Sequence, residues 1–255
     1  MTYETLVLED EGPVARVWLN HPERHNALDA RALEEIADVF TALQRRHDAA
    51  VVVLGGRGPS FCSGADRKDP PARLTRASGA GPRERRHAAQ IGRRALEAIE
   101  RCEAVTIARL HGHVIGGGVV LALGCDLRIA AASTSFRIPE VELGVPLTWG
   151  GVPRLVAAVG TARAKELVLV GDRFDAATAE RLGVVNRVVT DDGLDAAVDA
   201  WAQRVAAQPR WATHMTKTQF LAYGRATVLG DVSELDGDLL TQASREDPER
   251  FRLPE

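Results

Sequence analysis

Residues 50–54 are an unbroken run of apolar side chains that ends at Gly55-Gly56, and residues 104–110, apolar except for Thr106 and Arg109, read as a second strand of the buried type. A run of strand length, apolar at consecutive positions and bounded by turn residues, fits a strand covered on both faces. Such strands belong to parallel sheets, whose crossovers are helices, so this feature confines the chain to an α/β architecture. Much of the chain keeps that rhythm. Residues 5–8 and Val14–Leu19 read as strands joined by the turn signal Asp10-Glu11-Gly12-Pro13, with Leu127–Ala131 and residues 184–189 as later ones. Leu33, Ile36, Ala37, Phe40 and Leu43 recur at helical spacing behind Asp29, a fitting N-cap. A helix starts near His87 with Ile91, Ala95, Ile99 and Cys102 on one face. After Pro139 the pattern turns helical, over residues 162–170, Ala176–Leu182, residues 194–207 and residues 212–222. Residues 68–86, rich in Pro, Gly and Arg, read as a mobile loop within the domain.

Composition narrows the function classes. With 255 residues, 45% of them apolar and 26% charged, a sizeable core is possible. A net charge of -3 gives no reason to expect nucleic acid or an anionic membrane as partner. The opening MTYETLVLED has no basic region followed by an apolar one, so no signal peptide is expected; residues 114–122 are too short and too glycine-rich to span a bilayer. Cys62, Cys102 and Cys125, odd in number and scattered, point to small buried residues in a reducing cytoplasm rather than to disulfides or zinc.

Two segments share one arrangement: a buried strand, a turn of small residues, then a helix start. The first runs into FCSGAD (residues 61–66), the second into HGHVIGGG (residues 111–118). Helix N-termini leave amide N–H groups unpaired, and small residues let a ligand oxygen approach them closely. Two such turns facing one another would aim a pair of donors at one point, which suits the enolate formed when a thioester loses its α-proton. Taken alone, the glycines favour the plainer reading, that they only allow tight packing. The spacings of a dinucleotide-binding fingerprint and of a phosphate-binding P-loop are absent.

The motifs PERHNAL (22–28), FCSGADRKD (61–69), HGHVIGGGVVLALGCDLRIAA (111–131), FRIPEVELGVPLTWGGVPRL (136–155) and LVGDRFDAATAERLGVVNRVV (169–189) occur in that order. Together they resemble the crotonase, or enoyl-CoA hydratase/isomerase, family from the first strand to Val189. The resemblance implies a crotonase-like spiral of ββα repeats over residues 1–190 and a helical C-terminal oligomerisation region over 191–255. It implies a homotrimer or dimer of trimers, a coenzyme A thioester as substrate, and neither cofactor nor metal. It assigns the oxyanion hole to the backbone amides of Ala65 and Gly117. It also implies that Arg24, His25, Asn26 and Ala27, with Ser63, Gly64 and Asp66, line the coenzyme A path, and that Gly116 and Val120 lie along the acyl group. Arg24, Lys68 and Lys217 are candidate phosphate contacts, or ordinary solvated charges.

Hydratases of this family hold a water between two glutamates. The first belongs three residues after Gly117, where this chain has Val120; the second corresponds to Glu140. One carboxylate is enough to shuttle a proton from the α- to the γ-carbon, so the resemblance favours an enoyl-CoA isomerase. A weak or specialised hydratase and a non-catalytic acyl-CoA-binding protein are the alternatives. Glu140 is preferred over Glu142 because it is the glutamate that the family motif selects. His111 and His113 read as packing or turn residues. Trp149 stands where hydratases have small residues, and either walls the acyl pocket or packs in the core. The family often continues past residue 255, so part of the usual pocket cover is expected to be absent or to come from a neighbouring subunit.

Overall fold

The structure, a computed structural model, describes residues 2–71, 81–227, 236–239 and 242. Its main sheet begins with β1 (Leu6–Glu11) and β2 (Val14–Leu19), an antiparallel hairpin. The strands β3 (Val51–Gly56), β4 (Val105–Leu110), β6 (Leu127–Ala131) and β9 (Arg187–Val189) then add to β2 in parallel, in that spatial order. The small second sheet pairs β5 (His113–Ile115) with β7 (Ser135–Arg137) in parallel and β7 with β8 (Phe174–Asp175) in antiparallel.

The unbroken apolar run of β3 is explained by the cover on its two faces. Val52 and Leu54 join a core with Leu33, Ile36 and Phe40 of α1 (Ala30–Leu43) and Leu96 and Ile99 of α3 (Ile91–Arg101). Val51 and Val53 point the other way and pack with Leu194, Val198 and Ala202 of α7 (Leu194–Ala206). Strand register thus sorts alternate residues into two cores. Helix α1 starts where expected: the Asp29 carboxylate accepts from the Ala32 N–H at 2.8 Å.

The region read as a loop ends earlier than expected. Helix α2 (Pro82–Ala89) occupies residues 82–86, with Pro82 at its start and the Glu84 carboxylate accepting from the Gly81 N–H at 2.7 Å. It buries only Ala89, so it has no apolar stripe to betray it. Residues 72–80 of that expectation lie outside the described residues. Helix α4 (Gly117–Gly124) is buried along its whole length. Helix α5 (Gly151–Leu169) begins well before residue 162 and is kinked at Gly160, and α6 (Ala176–Leu182) succeeds β8. Helix α8 (Arg210–Thr227) has no buried residue, and Trp211, Phe220 and Tyr223 are 77%, 75% and 71% exposed. No described helix is long and apolar enough to cross a membrane. The three cysteines are free and buried.

Candidate active site

The site is assembled by two short ladders. In the first, Cys62 forms a parallel bridge to Val114: the Cys62 N–H donates to the His113 carbonyl and the Ile115 N–H to the Cys62 carbonyl, both at 3.0 Å. This lays the turn after β3 beside the turn after β5. Gly64 sits at φ +93, and a Cβ there would stand 2.9 Å from the Ile115 carbonyl oxygen and 3.6 Å from the Gly117 nitrogen, so only glycine fits. Ala65 bridges Leu28 in parallel. The Leu28 N–H donates to the Gly64 carbonyl and the Asp66 N–H to the Leu28 carbonyl, each at 2.8 Å. In such a bridge the middle residue turns its own N–H to the opposite side, which leaves the Ala65 amide free to meet a ligand.

The second ladder joins β5 to β7. Ile115 pairs with Arg137, and the Gly116 N–H donates to the Arg137 carbonyl at 2.8 Å. Parallel pairing brings the residues just beyond the two strands to the same place. After β5 comes Gly116 (φ +50, ψ -115), the cap of α4, so Gly117 opens that helix with an N–H that has no partner inside it. After β7 comes Glu140. Its Oε1 would stand 2.5 Å from a Cβ on Gly116, so the carboxylate rests against the turn that presents the Gly117 amide. Glu142 is turned away and exposed, paired with Arg137.

The Glu140 Oε2 atom is shut off from solvent and has no hydrogen-bond partner. Burial pushes this carboxyl up to about 7, offset only in part by its own backbone amide. A carboxyl so placed is a proton acceptor poised near neutral pH. Val120, 1% exposed, is sealed beneath the loop after Glu140: a Cβ on Gly151 would meet its Cγ2 at 2.8 Å and Leu147 Cγ at 3.1 Å. No second acid is offered from that position.

The two segments expected along the coenzyme A path lie side by side. The Ser63 N–H donates to the His25 carbonyl at 2.9 Å, and Arg24 Nη1 reaches the Asp66 carboxylate at 2.8 Å. Asn26 is a lock for this loop: its Nδ2 donates to the carbonyls of Arg57 and Ser60, and its Oδ1 accepts from the His21 N–H. His25 Nδ1 meets Ser60 Oγ at 2.9 Å. Burial raises the Asp66 carboxyl, but the amides of Lys68 and Asp69 and the Arg24 guanidinium outweigh it and hold it below the usual range. Lys68 is exposed, and Ala27 donates its N–H to the Arg24 carbonyl. Lys217 is engaged within the protein rather than solvated as a free surface charge. Its ammonium bonds the Ala104 carbonyl at 2.9 Å and the Asp126 carboxylate at 2.7 Å, with the side chain 9% exposed. His111 lies 2.9 Å through Nε2 from the Gly58 carbonyl and 3.0 Å through Nδ1 from Arg109 Nη1.

Two neighbours of the site carry no sequence signal. The Asp236 carboxylate accepts from the Gly150 N–H at 2.5 Å, and Gly92 of α3 lies under the Trp149 ring. Both join residues far apart in the chain, and neither belongs to a recognisable motif.

A family model described as enoyl-CoA hydratase/isomerase matches residues 9–250. The chain is 34% identical over 218 residues to a crotonyl-CoA hydratase from Syntrophomonas wolfei, covering 85% of this chain and 81% of that one. It is 33% identical over 227 residues to a peroxisomal Delta(3,5)-Delta(2,4)-dienoyl-CoA isomerase from Arabidopsis thaliana, covering 86% and 81%. A Thermobifida fusca protein solved in complex with acetoacetyl-CoA superposes with a TM-score of 0.78 at 33% identity, over 96% of this chain and 95% of that one. With its sheet order, its paired glycine turns and this agreement along nearly the whole length, the chain belongs to the enoyl-CoA hydratase/isomerase family and has the crotonase fold.

Proposed function

We propose that this chain is an enoyl-CoA isomerase that moves a double bond from the 3 to the 2 position of an acyl-CoA. The amides of Ala65 and Gly117 hold the thioester oxygen. The Glu140 carboxylate takes a proton from the α-carbon, the electron pair delocalises into a dienolate on that oxygen, and the same carboxyl returns the proton to the γ-carbon. One donor in such a hole is worth about 2.7–4 kcal/mol of barrier. Atoms balance with one base, so the reaction calls for no metal or cofactor.

The observation that carries the reading is the pairing of Glu140, resting on Gly116 with an unpartnered Oε2, with an apolar Val120 sealed under Leu147 and Gly151. Hydration needs a second acid to orient water, and this arrangement lacks one at that position. We also propose that the exposed aromatic side chains of α8 are covered by neighbouring subunits in a homotrimer or dimer of trimers.

Incubating the protein separately with a 3-enoyl-CoA and a 2-enoyl-CoA, and monitoring the absorbance of the conjugated thioester, tests the proposal. Absorbance should rise from the 3-enoyl substrate, with kcat/KM increasing through about pH 7 as Glu140 deprotonates, and the rise should vanish in Glu140→Gln. Efficient loss of absorbance from the 2-enoyl substrate would make the chain a hydratase. Binding without turnover of either would make it an acyl-CoA carrier.

A further inference from the structure

Trp149 is a bulky residue in the left-handed region, at φ +60, and the next residue, Gly150, is at φ +75. Such backbone is strained for a large side chain and persists only where its surroundings hold it. Here they do. The Gly150 N–H donates to Asp236 at 2.5 Å, and its carbonyl accepts from Arg154 Nη1 at 2.9 Å. Arg154 in turn makes a two-pronged ion pair with Glu100 of α3, at 3.1 and 2.7 Å, with both side chains nearly buried.

The ring held by this turn is 8% exposed. Its benzo edge lies on Gly117: a Cβ there would overlap Cζ3 and stand 3.0 Å from Cη2. Its fused bond lies on Gly92, where a Cβ would overlap Cδ2 and Cε2. The indole is therefore clamped between α3 and the first turn of α4, with no room to change rotamer. Leu96 and Leu147 are buried nearby. The ring starts at the residue whose amide faces the thioester oxygen and extends toward α3, across the gap that a small residue at position 149 would leave open.

We propose that Trp149 is the specificity-determining wall of the acyl pocket, closing the space between α3 and α4 so that the site takes short acyl thioesters and rejects long ones. This rests on the reading of the site as an acyl-CoA site, and it adds the acyl class. A fixed aromatic wall discriminates by overlap: a tail that must cross it has to displace a clamped ring, whereas a short tail ends before it.

The test is a chain-length series of saturated thioesters, butanoyl-, hexanoyl-, decanoyl- and hexadecanoyl-CoA, titrated calorimetrically into the unmodified chain, Trp149→Ala and Trp149→Phe. The unmodified chain should bind the two short thioesters at least about tenfold more tightly than the two long ones, and Trp149→Ala should shift that ratio by about tenfold or more toward the long ones. Trp149→Phe, which keeps a smaller ring, should fall between, and it carries the test if the alanine variant fails to fold. An unmodified chain that binds decanoyl-CoA as tightly as butanoyl-CoA overturns the proposal, as does a profile unchanged in the folded variants. Because binding is read without turnover, failure of the isomerase reading would show in the absorbance assay and leave this result standing.

Discussion

Glu140 should destabilise the folded protein in the pH range where it works. Its carboxyl moves from an ordinary value of 4.5 up to about 7 because burial disfavours its charged form. At about 1.36 kcal/mol per pH unit, that displacement corresponds to a penalty of roughly 3 kcal/mol. The sign comes from proton uptake. Below pH 4.5 the carboxyl is protonated in folded and unfolded chains alike, so there is no penalty. Between 4.5 and about 7 the unfolded chain releases the proton while the folded one keeps it, and stability falls as pH rises. Above about 7 both are ionised and the penalty is complete. Glu140→Gln keeps the shape and removes the charge. Urea unfolding of both proteins at pH 4.5 and at pH 8.5 measures the effect. The stability gained by the variant should be about 3 kcal/mol larger at pH 8.5 than at pH 4.5. A difference independent of pH would refute the argument, because it would mean the carboxylate is as well solvated in the fold as in the open chain.

Gly117→Ala should lower kcat by about 10²–10³, because the new Cβ and the Trp149 ring cannot share one place and the oxyanion amide must shift; circular dichroism checks that the fold survives. Lys217→Met should cost about 1.5 kcal/mol in urea unfolding by removing one charged partner of Asp126, which keeps its bonds from Thr106, while KM for the acyl-CoA stays unchanged; a raised KM would put Lys217 at the phosphates. Trp211→Glu combined with Phe220→Glu should lower the molar mass measured by light scattering, since these exposed rings of α8 are the proposed subunit contacts.

Legibility in the sequence depends on the physics of each element. Strand β3 is readable because cores press on both its faces, and α1 because its stripe and its Asp29 cap agree. Strands β5, β7 and β8 are not, since three- and two-residue strands hold too little alternation to register. The start of α5 is hidden by Gly160, whose φ of +75 breaks the helical period within it. In the site, Gly117, Ala65 and Glu140 can be named from family motifs because the chemistry proposed for them needs only backbone turns and one acid. No motif encodes depth. That Lys217 is sealed against Asp126, that Trp149 leans on Gly92 and that Asp236 reaches Gly150 depend on contacts between residues far apart in the chain.

The ladder between β5 and β7 has three rungs, His113–Ser135, Val114–Phe136 and Ile115–Arg137. It acts as a ruler that measures Glu140 against Gly117 by counting residues. One residue added between Ser135 and Glu140 would advance the carboxylate by about 3.3 Å along the strand, more than the length of a hydrogen bond. Both partners would still be present and the sheet could still form, yet the proposed base would no longer face the carbon beside a carbonyl held by the proposed oxyanion hole. Length is therefore constrained more tightly there than side-chain identity is. Changes in chain length belong in turns that the ruler does not span, such as Ala132–Thr134 ahead of β7.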